Sequence, residues 1–139
     1  MKEKNYAYTT ILSTDSYLPG VLDLFESIKR KNTKITEFVV IVNQEIKDET
    51  INILKKNGII VKNMQKIEPP KEIKSKNKLF PHWNNTFDKF NIFELTDYDK
   101  VVYLDSDIYV SENIDELFQK SNMSAVIAGK RYSGNKNWN

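Results

Sequence analysis

The sequence predicts an α/β domain built on a mainly parallel sheet flanked by helices, and three observations carry that reading. Short apolar runs alternate with segments of helical periodicity along the chain. One run, Phe38–Val42, is apolar throughout, as in a strand covered on both faces. Another, Val101–Leu104, stops abruptly at Asp105-Ser106-Asp107, which puts two carboxylates at the carboxyl edge of the sheet, where open α/β folds take their ligands.

The elements follow in order. Tyr6–Leu12 is rich in aromatic and β-branched residues and predicts the first strand. The polar turn Ser13-Thr14-Asp15-Ser16 leads to a helix beginning near Pro19, where the missing proline N–H costs nothing. Leu18, Leu22, Phe25 and Ile28 recur on one face of that helix. After the second strand, Phe38–Val42, a helix over about 47–57 has Asp48 and Glu49 in its first turn. Lys55 and Lys56 lie in its last, matching the helix dipole, and Gly58 is placed to end it. Ile59–Val61 predicts a third strand. Residues 65–83 hold Pro69-Pro70 and the lysines Lys66, Lys71, Lys74, Lys76 and Lys78, the pattern of an irregular solvated loop. A helix is expected from about Asn85, with Phe87, Phe90 and Phe93 three apart and facing the core. The strand Val101–Leu104 follows, then a short strand Ile108–Val110, a helical turn near Ile114–Phe118 and a last strand, Ser124–Ala128. Arg131–Asn139 has no clear pattern.

The 139 residues fit a single domain, 1–139, with a core of useful size. A net charge of +2 gives no push toward nucleic acid, and the absence of cysteine rules out disulfides, zinc-thiolate sites and thiol nucleophiles. The start is charged and lacks an apolar run of signal-peptide length, which predicts a cytoplasmic protein.

Two neighbouring carboxylates repel unless a cation or a proton intervenes. A hard divalent ion with oxygen ligands satisfies Asp105 and Asp107 together and can bridge a diphosphate. Three other readings compete on the residues alone. A calcium-binding EF-hand loop finds Asp105, Asp107 and Glu116 in place, yet has Tyr109 at its fifth position and Val110 where the turn glycine belongs. A phosphatase with Asp105 as nucleophile and Asp107 as acid also follows a buried strand. Such motifs lie near the amino terminus with Thr or Val two residues on, where Tyr109 stands here. The third is a pair of loop carboxylates in water.

The surrounding residues resemble glycosyltransferase family 8, which includes glycogenin and bacterial lipopolysaccharide glucosyl- and galactosyltransferases. Tyr103–Val110 followed by Asn113–Phe118 is similar to the family's metal strand and the turn after it. Thr10–Tyr17 with Gly20 resembles its amino-terminal nucleotide-binding segment, and Asn85–Phe90 sits where the family has a helix with a donor-facing lysine. The resemblance covers about residues 5–128. It implies a GT-A-type, Rossmann-like nucleotide-diphospho-sugar transferase fold, a UDP-glucose or UDP-galactose type of donor, and Mn²⁺ or Mg²⁺. By position, Ile11, Ser13, Thr14 and Tyr17 would line the uridine pocket with Tyr17 against the base. Asn85 would lie near the uracil or ribose, and Lys89 would reach the phosphates or the sugar. Asp105 and Asp107 would hold the metal, and the Ser106 backbone would approach the ribose. Bland readings stand beside these: Tyr17 as a helix-capping aromatic packed on the sheet, Asn85 as a helix N-cap, Lys89 as a solvated lysine. His82, beside Trp83, does not match the family's metal histidine and reads as a loop residue, and Asn113–Phe118 reads as a capped turn packed on the core.

Family members run about as long again, through an Asn-Ser-Gly segment, an Asp-Gln pair and a His-x-x-Gly-x-x-Lys-Pro-Trp stretch, none of which occurs here. The resemblance therefore implies a truncated fold and names no catalytic residue in this chain. It also implies a carbohydrate, glycolipid or protein acceptor. Completion by another chain, or a homo-oligomer, would cover the apolar surface left open.

Overall fold

Four parallel strands form one sheet in the order β3-β2-β1-β4, with β1 at Tyr6–Leu12, β2 at Glu37–Val42, β3 at Ile60–Asn63 and β4 at Lys100–Tyr103. The computed structural model describes residues 4–72 and 81–126, the side chains of 81–86 excepted. Helix α1 spans Leu18–Lys29 and helix α2 spans Asp48–Lys56. No helix among the described residues is long and apolar enough to cross a membrane.

Strand alternation divides the core. Tyr8 and Leu12 of β1 and Phe38, Val40 and Val42 of β2 point to the side of α1 and α2, against Val21, Leu24, Phe25, Ile28 and Leu54. Ala7, Val39 and Ile41 point to the other side, against Leu95. The second strand is buried nearly throughout, as its unbroken apolar run predicts. The core face of α1 is turned from expectation: Val21 and Leu24 are at its centre with Phe25 and Ile28, while Leu18 and Leu22 are only partly buried. Gly58 ends α2 with φ +73°, the left-handed conformation glycine adopts without strain, and its N–H donates to the Lys55 carbonyl at 3.0 Å.

The segment before β4 departs most from expectation. Regular backbone begins at Pro81, not Asn85, and continues to Glu94 as successive 3₁₀ turns. Three residues per turn bring every third side chain onto one face. Phe87, Phe90 and Phe93 therefore line up, with neighbouring centroids 6.0 and 6.5 Å apart. That face is turned outward, leaving Phe90 56% and Phe93 55% exposed, so these rings are not the expected core stripe. The buried residues between them are polar. The Asp88 carboxylate accepts from the Ile67 N–H at 2.9 Å, and the Asn91 amide donates to the Gln65 carbonyl at 3.1 Å, so the loop is tied down where it leaves β3.

Ile108–Val110 does not form a strand. The Ile108 N–H turns back to the Asp105 carbonyl at 3.2 Å, while Val110 is buried and donates its N–H to Ser27 Oγ at 3.0 Å. The expected helical turn is present as a 3₁₀ turn over Asp115–Gln119. Of the last expected strand, Ser124–Val126 is irregular and Val126 is fully in solvent, while Ile127 and Ala128 lie outside the described residues. Lys74, Lys76, Lys78 and the tail Arg131–Asn139 also lie outside them.

Candidate functional site

The chain leaves β1 toward β2 and β3 on one side and returns to β4 on the other, so a topological switch point opens between β1 and β4. Ligands of open parallel sheets bind at such points, beyond the carboxyl ends of the strands. The exit of β1 supplies Ser13, Thr14 and Tyr17, and the exit of β4 supplies Asp105, Ser106 and Asp107. The two exits touch. A β-carbon on Gly20 would come 2.6 Å from the Ser106 carbonyl oxygen, so the first turn of α1 packs on the Asp-Ser-Asp turn only because residue 20 has no side chain.

Within the β1 exit, Thr14 is extended, its hydroxyl lies 2.8 Å from that of Ser16, and its carbonyl accepts the Tyr17 N–H at 3.2 Å. Tyr17 caps α1 through its backbone, and its ring is 53% exposed, which does not fit a ring packed on the sheet. The Asn43 amide donates to the Ser13 carbonyl at 3.2 Å, and Asp15 accepts from Thr50 Oγ1 at 2.6 Å, fixing this loop to the exit of β2 and to α2. Ile11 lines a crevice with Ile41, Asn43, Met64, Asp88 and Asn91, under the tied-down loop.

Asp105 is the electrostatic centre of the β4 exit. Its Oδ1 accepts from Lys89 Nζ at 2.8 Å and from the Tyr103 hydroxyl at 2.8 Å. The same ammonium sits 5.5 Å from the Tyr103 ring centroid. Partial burial works against ionisation of Asp105, but the bonds from Lys89 and Tyr103 outweigh it and hold the carboxyl below its ordinary range. Burial, the bond to Asp105 and the charges of Asp105 and Asp107 push the Tyr103 phenol up, so it remains a donor. Both members of the ion pair are about half exposed, at 46% and 50%. Such a pair is worth at most about 1 kcal/mol, so Lys89 can be exchanged for another cation at little cost.

The structure thus brings Gly20, in the helix turn that follows Ser13, Thr14 and Tyr17, against Ser106, and Lys89 against Asp105. Asn85 lies in the 3₁₀ segment that carries Lys89, and its side chain is outside the described residues, as is that of His82. Sequence reasoning missed Tyr103 and Asn43. Tyr103 had a signal, since residues two apart on a strand share a face and this places it beside Asp105. Asn43 is the first polar residue after the apolar run of β2, a weaker signal. Among the described residues no group of three His, Cys, Asp or Glu side chains is arranged to hold a metal ion.

A family model described as "Glycosyl transferase family 8" matches residues 8–139. UDP-glucuronate:xylan alpha-glucuronosyltransferase 1 of Arabidopsis thaliana is 33% identical over 124 residues, covering 88% of this chain and 18% of that protein. Galactinol synthase 3 of the same plant is 31% identical over 117 residues, covering 84% of this chain and 34% of its own length. The chain therefore spans 18–34% of the length of these curated relatives. The solved apo structure of the bifunctional glycosyltransferase WbbM superposes with a TM-score of 0.54 at 19% identity, over 87% of this chain and 22% of that one. That likeness speaks for the fold, which is the α/β arrangement of the GT-A type implied by the sequence.

Proposed function

The chain belongs to glycosyl transferase family 8, and on that premise we propose that it is the donor-binding part of a retaining, metal-dependent glycosyltransferase. The reaction moves a hexose from a UDP-sugar to a hydroxyl of a carbohydrate, glycolipid or protein. The relatives' names add a hexuronic acid, from UDP-glucuronate, to the glucose and galactose type of donor. The observation that supports the reading best is the meeting of two strand exits at the switch point, with a lysine ammonium bonded to one of the two carboxylates there.

Each residue has a task that its chemistry suits. The exposed ring of Tyr17 offers a flat apolar face to a base, with Ile11, Ser13, Thr14 and Asn85 around the uridine and the Ser106 backbone near the ribose. Lys89 offers a compact charge to the diphosphate or the sugar. Asp105 and Asp107 present hard oxygen donors of the kind Mn²⁺ or Mg²⁺ prefers, and the donor's diphosphate and water would complete the shell. Such an ion, when bound, stabilises the charge that develops on a departing nucleotide diphosphate.

The test is release of UDP from UDP-glucose, UDP-galactose and UDP-glucuronate with Mn²⁺, in the wild type and in Asp107→Ala. Turnover that disappears in the variant supports a transferase. Metal-dependent UDP binding without turnover would make the chain a nucleotide-binding module instead, and absence of UDP binding would remove the site assignment.

A further inference from the structure

Two donors converge on a single oxygen. Lys89 Nζ and the Tyr103 hydroxyl both bond to Asp105 Oδ1 at 2.8 Å, and Lys89 belongs to a different element from the other two. The charge of Asp105 is thus already met, by the lysine that the donor-site reading assigns to the diphosphate. A divalent cation brought to the same carboxylate would face an ammonium a few ångströms away, and like charges so placed repel. Once a nucleotide diphosphate arrives the balance reverses, because its negative charge has room for both cations. Lys89 is free to make that move: the pair is about half exposed, and the face of the Tyr103 ring lies within 5.5 Å of the ammonium. Tyr103 stays behind and keeps the carboxylate aimed while the lysine swings away.

We propose that Lys89 is a removable counter-charge that competes with the divalent cation for Asp105 until a nucleotide diphosphate binds, so that cation and donor bind as a coupled pair. Tyr103 is the positioning residue of this exchange. The proposal rests on the donor-site reading above and adds a sign to it. Lys89 opposes the cation alone and favours the cation together with the nucleotide. By thermodynamic linkage, the factor by which UDP tightens Mn²⁺ is the factor by which Mn²⁺ tightens UDP.

The experiment is a titration of Mn²⁺ alone, followed by the resonance of free Mn²⁺, and of UDP with and without Mn²⁺ by calorimetry, on the full chain. Lys89→Met should bind Mn²⁺ alone about tenfold more tightly than wild type and lose most of the coupling between Mn²⁺ and UDP. Tyr103→Phe keeps the ring and removes the hydroxyl; it should weaken Mn²⁺ alone about threefold and leave the coupling in place. Lys89→Gln, which keeps a neutral donor, should fall between wild type and Lys89→Met. If Lys89→Met leaves Mn²⁺ affinity unchanged or lower while wild type still binds UDP with Mn²⁺, the competition is refuted and the donor site stands. If wild type binds no UDP in the presence of Mn²⁺, the donor-site reading itself falls. Unchanged circular dichroism and melting temperature in each variant separate these results from misfolding.

Discussion

Asp105 and Asp115 each accept a tyrosine hydroxyl and sit at opposite edges of the same sheet, yet they are held in different ways. Asp115, at the amino edge, accepts from Tyr8 OH at 2.7 Å, Thr33 Oγ1 at 2.5 Å and the Lys34 N–H at 2.8 Å, which uses both of its oxygens. Its neighbour Asn113 reaches the carbonyls of Lys31 and Asn32, and Phe118 stacks on Tyr6 and packs edge-on against Tyr8. The donors from Tyr8, Thr33 and Lys34 are neutral, and β1 and the segment before β2 that supply them meet only in the folded chain. Asp105 is met on one oxygen by an exchangeable lysine and a phenol at an open edge. A carboxylate tied by neutral donors holds a fold together, whereas one balanced by a half-exposed ammonium stays available to other charges.

Exchanging the two aspartates for alanine is the strongest way to break this comparison. Asp105→Ala should lower UDP binding in the presence of Mn²⁺ about a thousandfold, about 4 kcal/mol, while the denaturation midpoint stays within error of wild type. Asp115→Ala should do the reverse. It should cost about 3 kcal/mol in chemical denaturation, because it strands several donors at once, with UDP affinity per folded molecule unchanged. If Asp115→Ala left stability intact, the division of labour between the two carboxylates would be wrong. Next in size is Gly20→Ala, whose methyl would push the Ser106 carbonyl aside; UDP affinity should drop about thirtyfold through displacement of the carboxylate turn.

A pH series sharpens the amino-edge half. Partial burial opposes the charge on Asp115, but the bonds from Thr33, Lys34, Tyr8 and Asn113 outweigh it and hold its carboxyl below 3.8. A depressed folded value means the stabilisation is complete above the unfolded value and disappears as pH falls through the folded one. The stability gap between wild type and Asp115→Asn should therefore be flat from about pH 7 to 5 and close below about pH 4. Smallest of all, Phe90→Ser and Phe93→Ser should each change stability by about 0.5 kcal/mol or less, since both rings are more than half exposed. A loss of about 3 kcal/mol or more in either would restore the core reading of that stripe.

Much of the frame was legible because its signals are local. The unbroken Phe38–Val42 run and Gly58 past the end of α2 each have one physical meaning at short range. The failures are equally physical. A spacing of three suggests a helix with a buried stripe, but in 3₁₀ geometry it gathers Phe87, Phe90 and Phe93 on one face, and nothing in the spacing says which way that face looks. Buried Asp88 and Asn91 run against polarity rules until their loop partners at Gln65 and Ile67 are known. Ile108–Val110 has strand composition, yet the Asp105 carbonyl claims the Ile108 N–H first. The Lys89–Asp105 pair is the hardest to foresee, since the two residues stand sixteen apart on different elements and each has its own reading, one toward the donor and one toward the metal.

The clearance at Gly20 makes helix α1 and the carboxylate turn a single mechanical part. With 2.6 Å between the site of a β-carbon and the Ser106 oxygen, any side chain at residue 20 must displace the turn or the helix. A crowded side chain at that position is therefore met by the backbone of the carboxylate turn, which has to move for it to fit. Selection at residue 20 therefore acts on a gap as much as on an amino acid, and a change there should be tolerated only together with one that lets the turn after β4 retreat.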